Sequence, residues 1–420
     1  MKKKRVIIPI IAVFAAVIVT AVLFICRFTR QTVFTDNLPM NSVLTAEQAL
    51  EDFDYIYRKI SENHPCFLDG SGLDKALAAE YEKQRQVLAS DSEITVKSLW
   101  RSASMMCHTL GDAHTIVTPI TDEYAEDWNV ITGGTVLSID GVPCGELSED
   151  FRTIFSYEPQ VDFYADHMFG QIILQKSWLE LLGIDTSDGE DYELQTDSGT
   201  VTKHCGFVSE ISTESDSEGI CEYTVDNEHS VGIFTLYACD LSDEYTNMLA
   251  EFFADVAEYG IENVAVDLRE NGGGNSLVIN EFMRYIDVGE YRVFGGTDVR
   301  QGGRLKSYSS ELEKNKKKDN VFGGNLYVLT SNYTFSSAMD FAVAVSDNKI
   351  GRIIGEIPGN MPTAYGDKLT FQCPNSGLLI SVSYKKFHRV DSTKDELPLI
   401  PDFPVEADKA IEKLYEIIDG

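Results

Sequence analysis

Ser336 and Ser337 stand where an apolar run, Leu326 to Thr330, gives way through S-N-Y-T-F to the helical pattern S-S-A-M-D-F-A-V-A-V-S-D-N ending at Asn348. A hydroxyl at a helix start lies beside free N–H groups and the positive end of the helix dipole, which favours an alkoxide that has given its proton to a base. The ordinary role of a serine in that place is an N-cap. A second stretch, V-A-V-D-L-R-E-N-G-G-G-N-S from Val264 to Ser276, runs from a buried strand into three glycines and then a helix. Such a turn can present backbone N–H groups to an oxyanion or a phosphate without side-chain obstruction. A third, C-H-T-L-G-D-A-H-T-I-V from Cys107 to Val117, supplies His108 and His114. Imidazole titrates near pH ~6.5 and suits general base work. Taken singly, each stretch has a bland reading: a cap, a tight turn, a structural histidine.

The other histidines carry less weight. His64 precedes Pro65 at a helix end, His108 lies inside a helix, and His388 sits in the basic run Lys385-Lys386-Phe387-His388-Arg389, so all three read as surface or packing residues. Of eight cysteines, Cys26 falls in an apolar N-terminal run and the other seven are widely spaced, with no C-x-x-C and hence no suggested zinc site. A bond such as Cys205–Cys221 requires a hairpin to bring the pair together.

Together the three stretches resemble the C-terminal processing (tail-specific) serine peptidases and the catalytic core of tricorn-type peptidases, from roughly Thr45 to Val405. The combination of D-L-R-x-N-G-G-G with T-F-S-S-A and then I-I-G-E is specific. The resemblance implies an α/β, crotonase-like (ClpP/crotonase) catalytic core preceded by a PDZ-like insert. It implies Ser336 as nucleophile, with Ser337 N–H and the Gly272-Gly273 turn as oxyanion hole. One branch of the family takes a lysine base just after G-E-x-x-x-G; here Gly355 to Gly359 is followed by Asn360 and Met361. The tricorn-like branch takes a histidine after a D-x-H segment, which Asp112-Ala113-His114 matches, so His114 is the implied base. That branch orients its histidine through a neighbouring serine, where this chain has Ala113, and a carboxylate near a C-terminal P-D motif. Asp395 and Glu396, before Pro401-Asp402, are the candidates. The implied activity is a serine-type endopeptidase acting on peptide or protein substrates near their C-terminal tails, with no metal or organic cofactor. Two rivals use the same residues differently: a catalytically inactive peptide-binding protein on the same fold, and an acyl-CoA enzyme of the crotonase superfamily.

The elements that must position these residues are readable in outline. Thr45 with Gln48 opens an amphipathic helix carrying Leu50, Phe53, Ile56 and Ile60 on one face. Helical patterns follow at Leu73–Leu88 and Ile94–Leu110, and Gly111 stands where the last should stop. From about Val130 to Thr224 short alternating runs and turns predict a β-rich module with one helix near Ile172–Leu182, and S-I-D-G-V-P, from Ser138, resembles a PDZ-like strand and turn. After Val231, alternating strand and helix patterns predict an α/β layer fold. Gly295 to Asn320, polar and rich in lysine, reads as a long exposed loop. The expected layout is an N-terminal basic tip and anchor over 1–30, a helical segment over 31–125, the PDZ-like module over 126–225 and the catalytic domain over 226–420.

Lys2, Lys3, Lys4 and Arg5 precede an apolar run from Val6 to Cys26, long enough to span a bilayer and without an A-x-A exit. The basic excess before it predicts a single-pass cell-membrane protein, held in the membrane by this N-terminal helix, with the remainder extracytoplasmic. Sixty-seven acidic against 35 basic side chains give a net charge of −32, which repels a phosphate backbone and excludes nucleic acid as a partner.

Overall fold

The computed structural model describes residues 34–209 and 219–420, and the chain divides into two units, residues 1–36 and 37–420. Among the described residues no helix is long and apolar enough to cross a membrane. The run that raised the expectation of an anchor, Val6 to Cys26, lies outside the described residues. The single-pass membrane assignment is therefore corrected: no described element supplies a span.

The second unit has a mixed α/β fold. Its N-terminal helices are α1 (Ala46–Asn63), α2 (Leu73–Ser90) and α3 (Val96–His108). Thr45 and Gln48 close a capping box on α1, and Thr95 and Ser98 close one on α3, which fixes both starts locally. The apolar stripe of α1 buries Phe53, Ile56 and Ile60, while α3 buries Leu99 and Trp100. Trp100 Nε1–H donates to Val117 O at 2.7 Å and so ties α3 to the strand β1 (Ile116–Thr118) that follows the His114 loop. Removing that ring would cost about 3–5 kcal/mol.

The middle segment holds a four-stranded antiparallel sheet: β2 (Thr135–Ile139), the short Val142–Pro143, β3 (Glu190–Thr196) and β4 (Gly199–Cys205). Among the described residues it also holds more helix than the one expected, including α4 (Cys144–Ile154), α5 (Phe163–Ile172) and α6 (Lys176–Leu181). Leu147, Phe151, Ile154, Phe169 and Ile172 carry the helical spacing that defines them, and they join one core with α1 to α3.

The remaining part contains a six-stranded sheet. In chain order its strands are β5 (Cys221–Asp226), β6 (Val231–Leu236), β7 (Asn263–Asp267), β10 (Asn325–Thr330), β11 (Arg352–Gly355) and β14 (Phe403–Pro404). All its pairings are parallel except β5–β6. The central β7 is buried along its whole length, as a strand covered on both faces must be. The helices α7 (Asp243–Glu258), α8 (Leu277–Met283) and α9 (Ser337–Asp347) join one apolar cluster with this sheet, and α10 (Ala410–Asp419) joins a second.

A second sheet carries β1 against β13 (Leu379–His388), which also pairs with β12 (Ala364–Gln372) and β8 (Gly296–Gln301); β9 (Arg304–Ser309) completes it. The polar stretch 295–320 is thus largely a β8–β9 hairpin docked on β13, not a loop. Most of β9 is exposed, so the strand has no apolar alternation, and backbone pairing at a sheet edge decides its conformation. All seven described cysteines are free, and Cys205 and Cys221 form no bond.

Candidate active site

Ser336 sits at the junction of β10 and α9 with φ 54° and ψ −124°, a backbone conformation that L residues avoid. Its side chain makes no capping hydrogen bond. Instead Ser336 Oγ lies 3.1 Å from His114 Nε2, 222 positions earlier in the chain. Ser336 N–H donates to Asn360 Oδ1 at 2.6 Å, and Asn360 is 2% exposed. The position where a lysine was sought therefore holds a buried amide that braces the Ser336 backbone.

His114 is held from several sides. Gly111, with φ 55°, turns the chain out of α3, and a Cβ there would stand 3.1 Å from Pro159 Cδ. Asp112, fully buried, accepts from His114 N–H at 2.9 Å, from Thr115 Oγ1–H at 2.6 Å and from His64 Nε2 at 3.1 Å. Because His64 Nδ1 accepts Cys66 N–H at 3.2 Å, its proton resides on Nε2, and His64 is a neutral donor. Burial alone would raise the Asp112 carboxyl; the bonds from His114 and His64 outweigh it and hold the group well below the usual carboxylate range. Phe335 packs on the His114 ring with centroids 4.8 Å apart, and Tyr164 stacks on Phe335 at 4.7 Å.

Sequence reasoning missed Glu158. This buried carboxylate accepts Met361 N–H through Oε2, and its Oε1 has no partner. His114 Nδ1 is likewise buried and unpartnered, 3.7 Å from Asp112 Oδ1 and outside hydrogen-bond range. Asp112, His114 and Glu158 each bring a ligand atom within 4.8 Å of the others. Burial pushes the Glu158 carboxyl well above its ordinary range, and the Asp112 charge adds to it. The only local signal for Glu158 was a carboxylate beside Pro159.

The carboxylates expected to orient His114 do not reach it. Asp395 Oδ1 accepts Thr363 Oγ1–H at 3.0 Å, and Glu396 is exposed. Neither bonds the imidazole, whereas Glu158 brings a carboxylate oxygen within 4.8 Å of a ring nitrogen. His108 and His388 are engaged elsewhere, with Phe155 O at 2.8 Å and Asp298 Oδ2 at 2.9 Å.

Opposite Ser336 the glycine turn approaches closely. A Cβ on Gly273, where φ is 102°, would meet Phe335 O and Ser336 Cβ at 2.7 Å and Ser337 N at 3.0 Å. Gly273 N–H is committed to Asn271 Oδ1 at 2.8 Å, whereas the N–H groups of Gly272 and Ser337 carry no such side-chain bond. Ser337 Oγ–H donates to Gly274 O at 2.8 Å, which fastens α9 to the turn. A nucleophile, a base in contact with it and backbone donors within reach can carry out acyl transfer.

Residues 230–405 match the model of peptidase family S41. Among solved structures the chain is similar to mature CPAF, with a TM-score of 0.64 at 14% identity over 89% of this chain and 96% of that one. It is similar also to mature CPAF complexed with lactacystin, with a TM-score of 0.63 at 14% identity over 89% and 97%. The photosystem II D1 C-terminal processing protease matches with a TM-score of 0.48 at 13% identity over 90% and 98%. At these identities the structural likeness speaks to the fold.

Proposed function

We propose that this chain, a serine-type peptidase with a peptidase family S41 region over residues 230–405, cuts protein or peptide substrates near their C-terminal tails through Ser336 and His114. The observation that carries the reading is the 3.1 Å contact between His114 Nε2 and Ser336 Oγ. As Oγ adds to the scissile carbonyl carbon, Nε2 takes its proton. The N–H groups of Ser337 and the Gly272-Gly273 turn, with Gly272 the freer donor, hold the oxyanion. Collapse of the tetrahedral intermediate expels the amine, which leaves with the proton from His114. Water then gives a proton to Nε2 and attacks the acyl-enzyme, and the acid product departs as Oγ is reprotonated.

Glu158 acts in this scheme as a positioning residue. Once ionised, its carboxylate accepts Nδ1–H of His114, directly after a small rotation or through one water molecule, and so selects the tautomer with a free Nε2. The finer architecture is a crotonase-like core with residues 126–225 as a PDZ-like module. The exposed strand β4, at the edge of the four-stranded sheet, supports capture of an extended peptide tail by strand addition. A silent binder on this fold is disfavoured, because it leaves the strained Ser336 and its bonded imidazole without work.

A fluorophosphonate probe tests the proposal. Labelling should occur on Ser336 and vanish in Ser336→Ala together with hydrolysis of a fluorogenic peptide. Peptide hydrolysis that persists in Ser336→Ala would overturn the assignment.

A further inference from the structure

Asp340 lies one turn into α9 from Ser336, its N–H donating to Ser336 O at 2.9 Å. It lines a cavity of about 580 Å³ that also contains Ser336 and His114. Among the described residues the carboxylate makes one hydrogen-bond contact, at 3.4 Å with Ser276 Oγ. A proton count weakens even that contact. Ser337 Oγ–H donates to Gly274 O, so the 2.7 Å bond between Ser276 and Ser337 must be donated by Ser276, whose single proton is then used. Asp340 is left facing the cavity with no committed donor.

No cation among the described residues compensates it. Lys385 lines the same cavity, yet its ammonium is paired with Asp367. A half-buried carboxylate without a committed partner favours taking up a proton or acquiring a cation. We propose that Asp340 is the floor of a subsite that receives the cationic side chain of a lysine or arginine flanking the scissile bond of the substrate.

The cavity walls fit such a side chain. Leu277, Val293, Phe294, Met339 and Phe387 offer apolar surface for the methylene stem, and Asp340 meets the charged head. Without ligand, burial pushes the Asp340 carboxyl up to about 7, with the Asp367 charge adding and Ser276 opposing, so an arriving cation also restores the ionised form. The net charge of −32 draws cationic peptides toward the surface before they reach the cleft.

This inference rests on the peptidase reading, and two measurements keep their failures apart. Two series of otherwise identical peptides place lysine, arginine, norleucine or glutamate on either side of the scissile bond. At one of the two positions lysine should exceed norleucine by about 10-fold or more in kcat/KM, a difference of the size one partly buried charge contact supplies. Asp340→Asn should bring the lysine-to-norleucine ratio to about one, with fluorophosphonate labelling reporting that the site is still formed. Affinity of the same peptides for Ser336→Ala, read by fluorescence anisotropy, gives the preference without turnover. A ratio of about one in the unaltered chain at both positions, or a ratio that survives Asp340→Asn, overturns the subsite. Absence of cleavage with the binding preference intact sinks the peptidase reading alone.

Discussion

Glu158 Oε1 and His114 Nδ1 are both buried and both without a hydrogen-bond partner, and their side chains bring ligand atoms within 4.8 Å of each other. Leaving two polar atoms so would cost about 1–3 kcal/mol each, so the pair is an arrangement the fold sustains at some expense. Glu158→Gln should lower kcat about 10- to 100-fold while leaving KM within a few-fold, because the proposed scheme relies on an ionised Glu158 to accept Nδ1–H and the cleft is unchanged. Equal losses in kcat for a peptide and in stability would instead mark Glu158 as structural.

The same substitution has a signed effect on stability. Burial raises the Glu158 carboxyl, so its stabilising contribution is present below the ordinary glutamate value of about 4.3 and is lost as pH rises through its folded value. Glutamine removes that loss. The Tm of Glu158→Gln should therefore match the parent near pH 4 and exceed it increasingly toward pH 8. A constant offset across this range would contradict the buried-acid account.

Asp112 behaves in the opposite sense. Its carboxyl is held low by its hydrogen-bond donors, so its contribution is present above about pH 4 and is lost as acid protonates it. Asp112→Asn should destabilise the chain at pH 7 by about 3 kcal/mol or more, since it removes a buried charge and sets an NH2 against the donor of His114 or those of Thr115 and His64. The difference from the parent should shrink below pH 4, as urea midpoints at several pH values will register.

His114→Ala should reduce kcat by about 10⁴-fold, the loss expected when a general base is removed. Lys385→Ala, which removes a lysine lining the same cavity, should have a far smaller effect on an uncharged peptide, and Lys368→Ala, on an exposed stretch of β12, should have none. Comparable losses for lysine and histidine would return the proton to a lysine.

Chelation offers a further check, since Asp112, His114 and Glu158 converge as metal ligands could. Turnover should be unaffected by prolonged dialysis against a chelator. Activity that disappears and is restored by one divalent ion would make the trio a metal centre.

The sequence announced some of these relationships and concealed others. Ser336 and His114 were visible because each lies in a compact run of unusual residues, strand–turn–helix for one and a glycine-stopped helix for the other. Glu158 carries no such surroundings. Its role comes from Gly111 admitting Pro159 against the His114 loop and from Met361, 203 positions away, fixing one carboxylate oxygen. Asp112 was legible only as part of a motif, because its partner His64 is 48 residues distant. The hairpin of β8 and β9 was hidden for another reason: edge pairing uses backbone groups, and exposed side chains such as those of β9 record nothing of it.

The apolar clusters have a consequence for control of the chemistry. His114 and Glu158 are supplied by the part whose interior is shared by α1 to α6, whereas Ser336 is fixed to the six-stranded sheet by α9 and β10. The proposed couple thus straddles a seam, and Phe335, Tyr365, Leu378, Ile380 and Val382 are among the side chains from the far side that pack into the first interior. On the proposed mechanism, turnover depends on a 3.1 Å contact made across that joint and not within either interior, so the two can be uncoupled without loss of either core.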